Sequence, residues 1–156
     1  MISENTEDLK YTGFDQSFPL STNDTFEEDI KKLRERCRGI GLPKGYVPDT
    51  TLFLLHKNKN RIVGGINIRH LLTDNIRYRG GHIGYYICCN DRKKGFAKIM
   101  LKKGLGFCKQ LGIFEVLITC SKDNIASIKT IIANDGILKE ECNDNGEVFQ
   151  RYWIKL

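Results

Sequence analysis

The first clear hydrophobic pattern in the chain is an apolar stripe with the three- and four-residue spacing of a helix. It follows residues 1–22, which are polar and weakly patterned and which we interpret as a loosely packed arm or a first strand. Thr25 and Glu28 have the spacing of a capping box, which favours a helix start at this point. The stripe is formed by Phe26, Ile30, Leu33 and Cys37.

Three apolar segments of strand length come next. TLFLLH (51–56) and RIVGGINIRHLL (61–72) are joined by the polar turn KNKN, and they predict two antiparallel strands. A basic loop that contains glycines, TDNIRYRGG, leads to the third segment, HIGYYICC (82–89). The middle of the chain is therefore predicted to form three consecutive strands.

The second half of the chain alternates between helical and strand-like patterns. Residues 95–111 carry apolar side chains at helical spacing, although Gly104 and Gly106 weaken that pattern by about 1 kcal/mol each relative to alanine. The segment FEVLITC (114–120) then predicts a strongly apolar strand.

The last part of the chain predicts a short helix over 123–134, capped by Asp123, and a closing hairpin. The hairpin consists of GILKEEC and GEVFQRYWIKL, and its turn contains Asn145-Gly146, a dipeptide typical of tight hairpins. The order of elements predicts an α/β fold with a mixed, mostly antiparallel sheet flanked by helices, and it excludes a helical bundle or a plain sandwich. We expect one domain over 1–156.

Composition narrows the class of protein only moderately. The chain has 156 residues, of which 40% are hydrophobic and 28% charged, and no apolar run approaches the ~20 residues of a membrane helix. The first residues, MISENTEDLK, are acidic and do not match a signal peptide, so we expect a cytoplasmic protein. The formal charge of +6 is compatible with nucleic acid, with anionic metabolites or with neither.

The six cysteines do not form a C-x-x-C pair, so the sequence gives no signal for a zinc site and we assign no metal ligands. Most of them lie in apolar segments, where a free cysteine behaves as a small hydrophobic residue. We therefore expect buried thiols rather than disulfides.

The stretch NDRKKGFAKIML (90–101) places four cations, Arg92, Lys93, Lys94 and Lys98, at the start of the helix predicted over 95–111. Cations are disfavoured at a helix N-terminus, so an anion is expected there unless the stretch is only a solvated corner. A P-loop motif is absent, and Gly104 and Gly106 lie too deep in the helix for a dinucleotide fingerprint. The remaining candidate for an anion site is the motif R-x-x-G-x-A over 92–97, which follows a predicted strand. Within this motif, Gly95 and the small Ala97 let a diphosphate approach the backbone.

This motif, together with GYYI (84–87) before it and DNIAS (123–127) after the next strand, resembles the GNAT superfamily of acetyl-CoA-dependent N-acetyltransferases. The resemblance covers the chain from about residue 50 to 156. It implies that acetyl-CoA lies where strand 82–89 separates from strand 114–120. The implied cofactor-binding residues are Tyr85, Tyr86 and Ile87 along the pantetheine arm, Arg92, Lys93, Lys94, Gly95, Phe96 and Ala97 around the diphosphate, and Asn124 near the cofactor arm.

The same resemblance leaves the proton transfers unsettled. Many members of the family have a tyrosine acid at the position that Ile131 occupies here, so we assign no tyrosine acid to this chain. His82 is our candidate for the general base, because an unperturbed imidazole titrates near pH 6.5 and relatives often place a Glu or His nearby. His70 and Glu115 are alternatives to His82, and Cys88 and Cys89 are interpreted as lining of the core and the cleft.

The sequence thus predicts an enzyme that moves an acetyl group from acetyl-CoA to a primary amine by direct attack in a ternary complex. A non-catalytic acetyl-CoA-binding module, or a nucleic-acid-binding module that uses Arg77, Tyr78 and Arg79, remains an alternative. The acceptor amine is expected to be a small molecule or a peptide. We do not expect nucleic acid or a membrane as a partner, and the sequence leaves open whether the protein forms a homodimer. The resemblance implies that the acceptor pocket is built from the N-terminal helices and the loops near 40–50 and 71–80. The acidic residues of these segments either attract a cationic amine or are ordinary surface charges; they are Asp24, Glu27, Glu28 and Asp74.

Overall fold

The structure is a computed structural model that describes residues 25–156 apart from 57 and 59. The arm or strand predicted over 1–22 lies outside the described residues, as does Asp24. The first described element is helix α1 (Phe26–Cys37), and its capping box is present as predicted. The Thr25 hydroxyl accepts the Glu28 N–H, and the Glu28 carboxylate accepts the Thr25 N–H at 2.7 Å.

Three strands form a first antiparallel sheet in the order β1-β2-β3. They are β1 (Asp49–His56), β2 (Arg61–Arg69) and β3 (Ile83–Ile87). The second strand ends three residues earlier than its apolar pattern predicted, and the hydrogen bond from the His70 N–H to the Pro48 carbonyl is the last contact of its pairing with β1.

A five-residue helix, α2 (Asp74–Tyr78), lies in the loop that the sequence analysis left without structure. Its start is held by Thr73, whose hydroxyl accepts the N–H of Ile76. A helix this short has too few residues to show a hydrophobic period, so the sequence pattern did not indicate it.

The other three strands form a second antiparallel sheet in the order β4-β6-β5. They are β4 (Glu115–Ser121), β5 (Ile137–Asp144) and β6 (Glu147–Lys155). The predicted hairpin turn joins β5 to β6, with Asn145 at φ 52° and Gly146 at φ 91°. Two consecutive positive φ values define the type I′ turn that matches the twist of the two strands.

Two helices connect the sheets: α3 (Phe96–Gln110) follows β3, and α4 (Ile125–Ile132) follows β4. The cap of α4 is Asn124 rather than the predicted Asp123, because the Asn124 Oδ1 accepts the N–H of Ser127 at 3.1 Å. Gly104 is needed in α3, since a Cβ at this position would collide with the side chain of Ile66 on β2. The glycine that weakened the helical pattern therefore allows α3 to pack closely on the first sheet.

One buried apolar cluster connects both sheets and both helices, so α3 and the two edge strands β3 and β4 are held in fixed positions. The fully or almost fully buried members include Ile66, Ile68, Ile83, Leu101, Cys108, Val116, Ile118 and Ile131. The fold is the predicted α/β arrangement of helices and mostly antiparallel strands, although the strands form two three-stranded sheets that meet at one point.

Candidate active site

The two sheets meet where the residues before β3 touch the middle of β4. Gly81 and Ile118 form a β-bridge, and the backbone N–H of His82 donates to the carbonyl of Leu117 at 2.7 Å. From this junction onward, β3 and β4 belong to different sheets, and each is the edge strand of its own sheet. The edge of β3 that faces away from β2 therefore presents backbone N–H and C=O groups that an extended ligand can bind.

Tyr85 extends from β3 to the start of α4, beside the gap between the two sheets. Its hydroxyl donates to the carbonyl of Ser127 at 3.4 Å, and burial raises the pKa of the phenol to about 12. Burial also raises the pKa of Tyr86 to about 12. The phenols of Tyr85 and Tyr86 are therefore both neutral at physiological pH.

The turn between β3 and α3 exposes the helix start. Gly95 is the N-terminal cap of α3 with φ 80°, and a Cβ built on it would have nothing within 4 Å. The first backbone bond of the helix runs from the N–H of Ile99 to the carbonyl of Gly95 at 3.3 Å. The N–H groups of Phe96, Ala97 and Lys98 precede that bond, so they have no partner within the helix and are oriented for an anion.

A buried carboxylate holds this turn. Asp91 is 1% exposed and contacts two cations, with the Nη2 of Arg61 at 2.9 Å and the Nζ of Lys94 at 3.1 Å from its Oδ1. The hydrogen bond from Arg61 is the main cause that lowers the pKa of Asp91, and burial works against it. The carboxylate is therefore charged, and it ties the turn to β2 through Arg61.

Two of the four cations in this stretch, Arg92 and Lys94, hold the turn together. The Nε of Arg92 donates to the carbonyl of Ile87 at 3.0 Å, and Lys94 also donates to the carbonyl of Asn90 at 2.5 Å. Lys93 is exposed and has φ 61°, within the left-handed region. The backbone beside Gly95 is therefore open, whereas the side chains of Arg92 and Lys94 are held by contacts within the turn.

His82 lies at the junction of the sheets and is only 8% exposed. Its Nδ1 accepts the backbone N–H of Leu117 at 3.0 Å, so the neutral ring carries its proton on Nε2. Burial is the main cause that lowers the pKa of His82 to about 4, with smaller contributions from Arg77 and Arg69. A general base needs a free lone pair, and this contact engages the one that the neutral ring has.

The other residues named from the sequence lie around this region in different roles. Asn124 caps α4, and Ile131 is fully buried in the core, where it offers no proton. His70 is bonded to the hydroxyl of Thr50 at 2.8 Å, and burial lowers its pKa. Glu115 is exposed at the start of β4.

The cysteines only partly match the prediction of buried thiols. Cys88 and Cys108 are buried, Cys89 is exposed, and the three others are half-buried. All six are free. Burial raises the pKa of Cys120 to about 11, so this thiol, which belongs to β4, is not an activated nucleophile.

A polar cavity of about 230 Å³, which no pattern in the sequence indicated, lies next to Gly80, the residue before the bridge that joins the two sheets. Within it, Arg36 donates to the carboxylate of Asp49 through Nε and Nη2, and the amide of Asn67 donates to the same carboxylate at 3.0 Å. We call this space the polar cavity; its lining is formed by Arg36, Gly45, Tyr46, Val47, Asp49, Asn67, Arg69, Ile76, Arg79 and Gly80. No local motif signals it, because these residues come from separate segments of the chain.

The acidic residues expected to attract a cationic amine do not line the polar cavity. Glu27 and Glu28 are exposed in the first turn of α1, and Asp74 is exposed in the first turn of α2. Their positions match the ordinary preference of carboxylates for helix N-termini.

The loop that motivated a nucleic-acid alternative is occupied by contacts within the chain. The ring of Tyr78 packs edge-on against Phe149 at 5.4 Å, and Arg79 contacts Asp144 and Glu147, the latter at 2.5 Å. The long apolar helix that a membrane crossing requires is absent from the described residues.

Comparisons with known proteins agree with this geometry. The family model described as "Acetyltransferase (GNAT) family" matches residues 13–131. No curated protein matches the chain.

Several solved structures share the fold at low sequence identity. One is yncA from Salmonella typhimurium with its cofactor acetyl-CoA, at 14% identity and TM-score 0.63 over 89% of this chain and 78% of that one. The ribosomal-protein-S5-alanine acetyltransferase from Vibrio fischeri has 12% identity and TM-score 0.67 over 99% and 83%. The microcin C7 self-immunity acetyltransferase MccE, in complex with acetyl-CoA and AMP, has 17% identity and TM-score 0.68 over 99% and 83%.

Proposed function

Because the chain belongs to the acetyltransferase (GNAT) family, we propose that it moves an acetyl group from acetyl-CoA to a primary amine by direct attack. Enzymes of this family use acetyl-CoA as their acetyl donor, so the chain is an acyltransferase. The observation that carries the proposal is the open helix start at Gly95, directly after a strand whose outer edge is free to pair with a ligand.

The backbone fits the two polar parts of acetyl-CoA. The N–H groups at the start of α3 face the space beside Gly95 and suit a diphosphate. The unpaired edge of β3 at Tyr85, Tyr86 and Ile87 suits the amide groups of the pantetheine arm. Arg92, Lys93, Lys94, Phe96, Ala97 and Asn124 complete the proposed donor site.

Acetyl-CoA supplies an activated thioester carbonyl when it is bound. The amine nitrogen forms a bond to the carbonyl carbon and the carbon–sulfur bond breaks. The amine proton passes to solvent, and the leaving thiolate gains a proton. Backbone N–H groups on the β3 edge stabilise the negative charge that develops on the carbonyl oxygen. Ile131 offers no proton, so solvent is the proposed source for the leaving thiolate.

We propose His82 as a positioning residue for this reaction, acting through Leu117. The bond from the Leu117 N–H to its Nδ1 fixes the point at which β3 and β4 separate. Its assignment as the general base stays a prediction, which the pH experiment described in the Discussion tests.

The test is an assay of a panel of amines with acetyl-CoA, in which released thiol and acetylated product are measured in the same sample. The panel holds small metabolite amines, polyamines and peptides with a free N-terminus, since one protein of this fold is named for an alanine of a ribosomal protein. We expect at least one amine to gain an acetyl group with one thiol released for each. Thiol release without an acetylated amine, or no release with any amine, would contradict the proposal.

A further inference from the structure

Three arginines from separate segments converge on the polar cavity. Arg36 comes from α1, Arg69 ends β2 and Arg79 follows α2. Asp49 is the one carboxylate among the described lining residues. Because Arg79 is already paired with Asp144 and Glu147, the charge that the lining offers comes from Arg36 and Arg69 against Asp49. This leaves one net positive charge, which favours an anionic group over a cationic one.

The charges within the polar cavity are arranged so that donor groups remain for a ligand. Arg36 uses Nε and Nη2 for Asp49, which leaves the hydrogens of its Nη1 for a ligand as far as the described residues show. The Arg36 guanidinium lies 5.5 Å from the centre of the Tyr46 ring, which holds it against one wall. A planar guanidinium held in this way suits a carboxylate.

Arg69 strengthens this preference. Its Nη1 donates to the carbonyl of Gly81 at 2.9 Å, so the guanidinium is fixed beside the junction of the two sheets. Burial is the main cause that lowers the pKa of Arg69, Asp49 raises that pKa, and the nearby charge of Arg36 lowers it. An anion between Arg36 and Arg69 would relieve their repulsion.

The polar cavity also lies close to the proposed point of acetyl transfer. Gly80 lines it, and the next residue, Gly81, forms the bridge to β4 from which the two sheets separate. The backbone N–H of Arg69 donates to the carbonyl of His82 at 2.8 Å. A strand advances about 3.3 Å per residue, so Gly80 lies roughly 10 Å along the chain from Ile83, the first residue of β3, a span comparable with the reach of a short peptide.

We propose that the polar cavity selects acceptor amines that carry a carboxylate within one or two residues of the amine. This inference rests on the proposed function, because it names the substrate class of that reaction. The carboxylate binds between Arg36 and Arg69, Arg79 contributes at the rim, and the amine then faces the gap between β3 and β4. A free acidic amino acid and the N-terminus of an acidic peptide share this chemistry.

The experiment compares acceptors that differ only in charge next to the amine. Peptide amides that begin with Ala-Asp, Ala-Asn or Ala-Lys test the peptide source, and free aspartate against asparagine tests the amino-acid source. We expect kcat/KM to be about tenfold higher for the acidic member of the productive pair than for its amide, which is the effect of one charge-assisted contact. The pair that shows this preference identifies the source.

Variants connect that preference to the cavity. Arg36→Gln and Arg79→Gln are expected to raise KM for the acidic acceptor about tenfold more than they raise KM for the neutral acceptor. The comparison between the two acceptors is needed because each variant also breaks an ion pair, with Asp49 or with Asp144 and Glu147. Arg36→Lys should give an intermediate loss, because the charge stays but the planar fork is lost. Arg34→Gln removes an exposed charge from the same helix outside the cavity, and it should change nothing.

A binding measurement separates this inference from the proposed function. Thermal shifts of the protein with N-acetyl-aspartate and N-acetyl-asparagine report on the polar cavity without turnover. Acetylation of amines without any preference for the acidic member would overturn the inference and leave the proposed function standing. Selective binding of N-acetyl-aspartate that Arg36→Gln abolishes, with no acetylation of any amine, would support the cavity assignment and remove the proposed function.

Discussion

The proposed donor and acceptor sides of the site are built in different ways. Apart from Asn124, the donor side comes from one continuous stretch, residues 85–97, and it offers mainly backbone groups along the edge of β3 and at the start of α3. The acceptor side is the polar cavity, which offers side chains from several separate segments of the chain. A site made of backbone leaves a short motif in the sequence, whereas a site made of converging side chains depends on topology and leaves none.

This contrast determines which substitutions each side should tolerate. Most side chains of the donor turn can change as long as its backbone keeps its conformation, and Gly95 is the position that holds it open. The acceptor side depends on the chemistry of individual arginines. A substitution on one side can therefore be tested for its effect on ligand binding at the other side.

The largest effect is expected from Gly95→Glu. The new side chain fills the open space beside the helix start, adds negative charge where a diphosphate is expected and strains a backbone at φ 80°. Acetyl-CoA should no longer raise the melting temperature in differential scanning fluorimetry.

The matched control for this variant is Gly106→Glu. Gly106 is an exposed position of the same helix with nothing within 4 Å of an added Cβ, and its replacement should stabilise the helix by about 0.5–1 kcal/mol. This control should keep the acetyl-CoA shift. An undiminished shift in Gly95→Glu would remove the turn from the donor site.

The next largest effect is expected from Asp91→Asn, which tests whether the donor backbone needs a side-chain support. The substitution leaves Arg61 and Lys94 without the buried carboxylate, and we expect a loss of about 3 kcal/mol in the free energy of unfolding. Urea denaturation measures this loss, and calorimetry should show weaker acetyl-CoA binding.

The exposed residue Asp123 supplies the control, since Asp123→Asn should change stability by less than about 0.5 kcal/mol. The preference for acidic acceptors should be the same in Asp91→Asn as in the wild type. A stable Asp91→Asn variant with normal acetyl-CoA affinity would mean that the turn holds its shape without this carboxylate.

The junction between the two sides should respond to pH through His82. Its pKa falls from 6.5 in the unfolded chain to about 4 in the folded protein, so the folded state binds fewer protons between these values. The neutral His82 ring therefore contributes its full share to the free energy of unfolding above pH 6.5. As the pH falls toward 4, the free energy of unfolding decreases by up to about 3 kcal/mol. Unfolding experiments from pH 7.5 to 4.5 should show this loss in the wild type.

Two variants separate a positioning role from a general base. In His82→Asn, the Oδ1 can accept the Leu117 N–H in place of Nδ1, whereas His82→Ala removes the acceptor. We expect turnover to be largely retained in His82→Asn and lowered in His82→Ala. Both variants should lose the dependence of the free energy of unfolding on pH that His82 causes. A turnover loss of about 100-fold or more in His82→Asn, together with a limb in the wild-type pH profile, would identify His82 as the base instead.

The smallest effect is expected from Thr25→Ala at the start of α1. The variant loses one half of the capping box, which costs about 1 kcal/mol. Because α1 carries Arg36 to the polar cavity, KM for the acceptor should rise slightly while acetyl-CoA binding stays unchanged. The exposed Arg38→Ala at the other end of the helix serves as the comparison. A change in acetyl-CoA affinity in Thr25→Ala would show that the two sides are coupled.

The sequence predicted those parts of the molecule that depend on local chemistry. The capping box at Thr25, the hairpin turn at Asn145 and the helix after Gly95 all rest on residues close together in the chain, and the structure has them. Helix α2 was missed because a single turn has no periodicity. The polar cavity was missed because Arg36 and Arg69 meet only after the strands have paired.

The sequence was also limited in what it could say about proton transfer. The pKa of His82 depends on burial and on the Leu117 N–H, which belongs to a strand 35 positions further along the chain. An unperturbed histidine would titrate near pH 6.5, and only the packing of the two sheets changes that value. Charges such as Glu27 and Glu28 were equally hard to assign, because a helix start and a substrate pocket use the same residue types.

The most direct test of the contrast is amide hydrogen exchange with and without acetyl-CoA, measured by NMR residue by residue. Acetyl-CoA should slow exchange at the N–H groups of Phe96, Ala97 and Lys98, and along the outer edge of β3, while exchange around the polar cavity stays unchanged. Protection that appears around Arg36 and Arg69, with none at the start of α3, would contradict the assignment of the two sides.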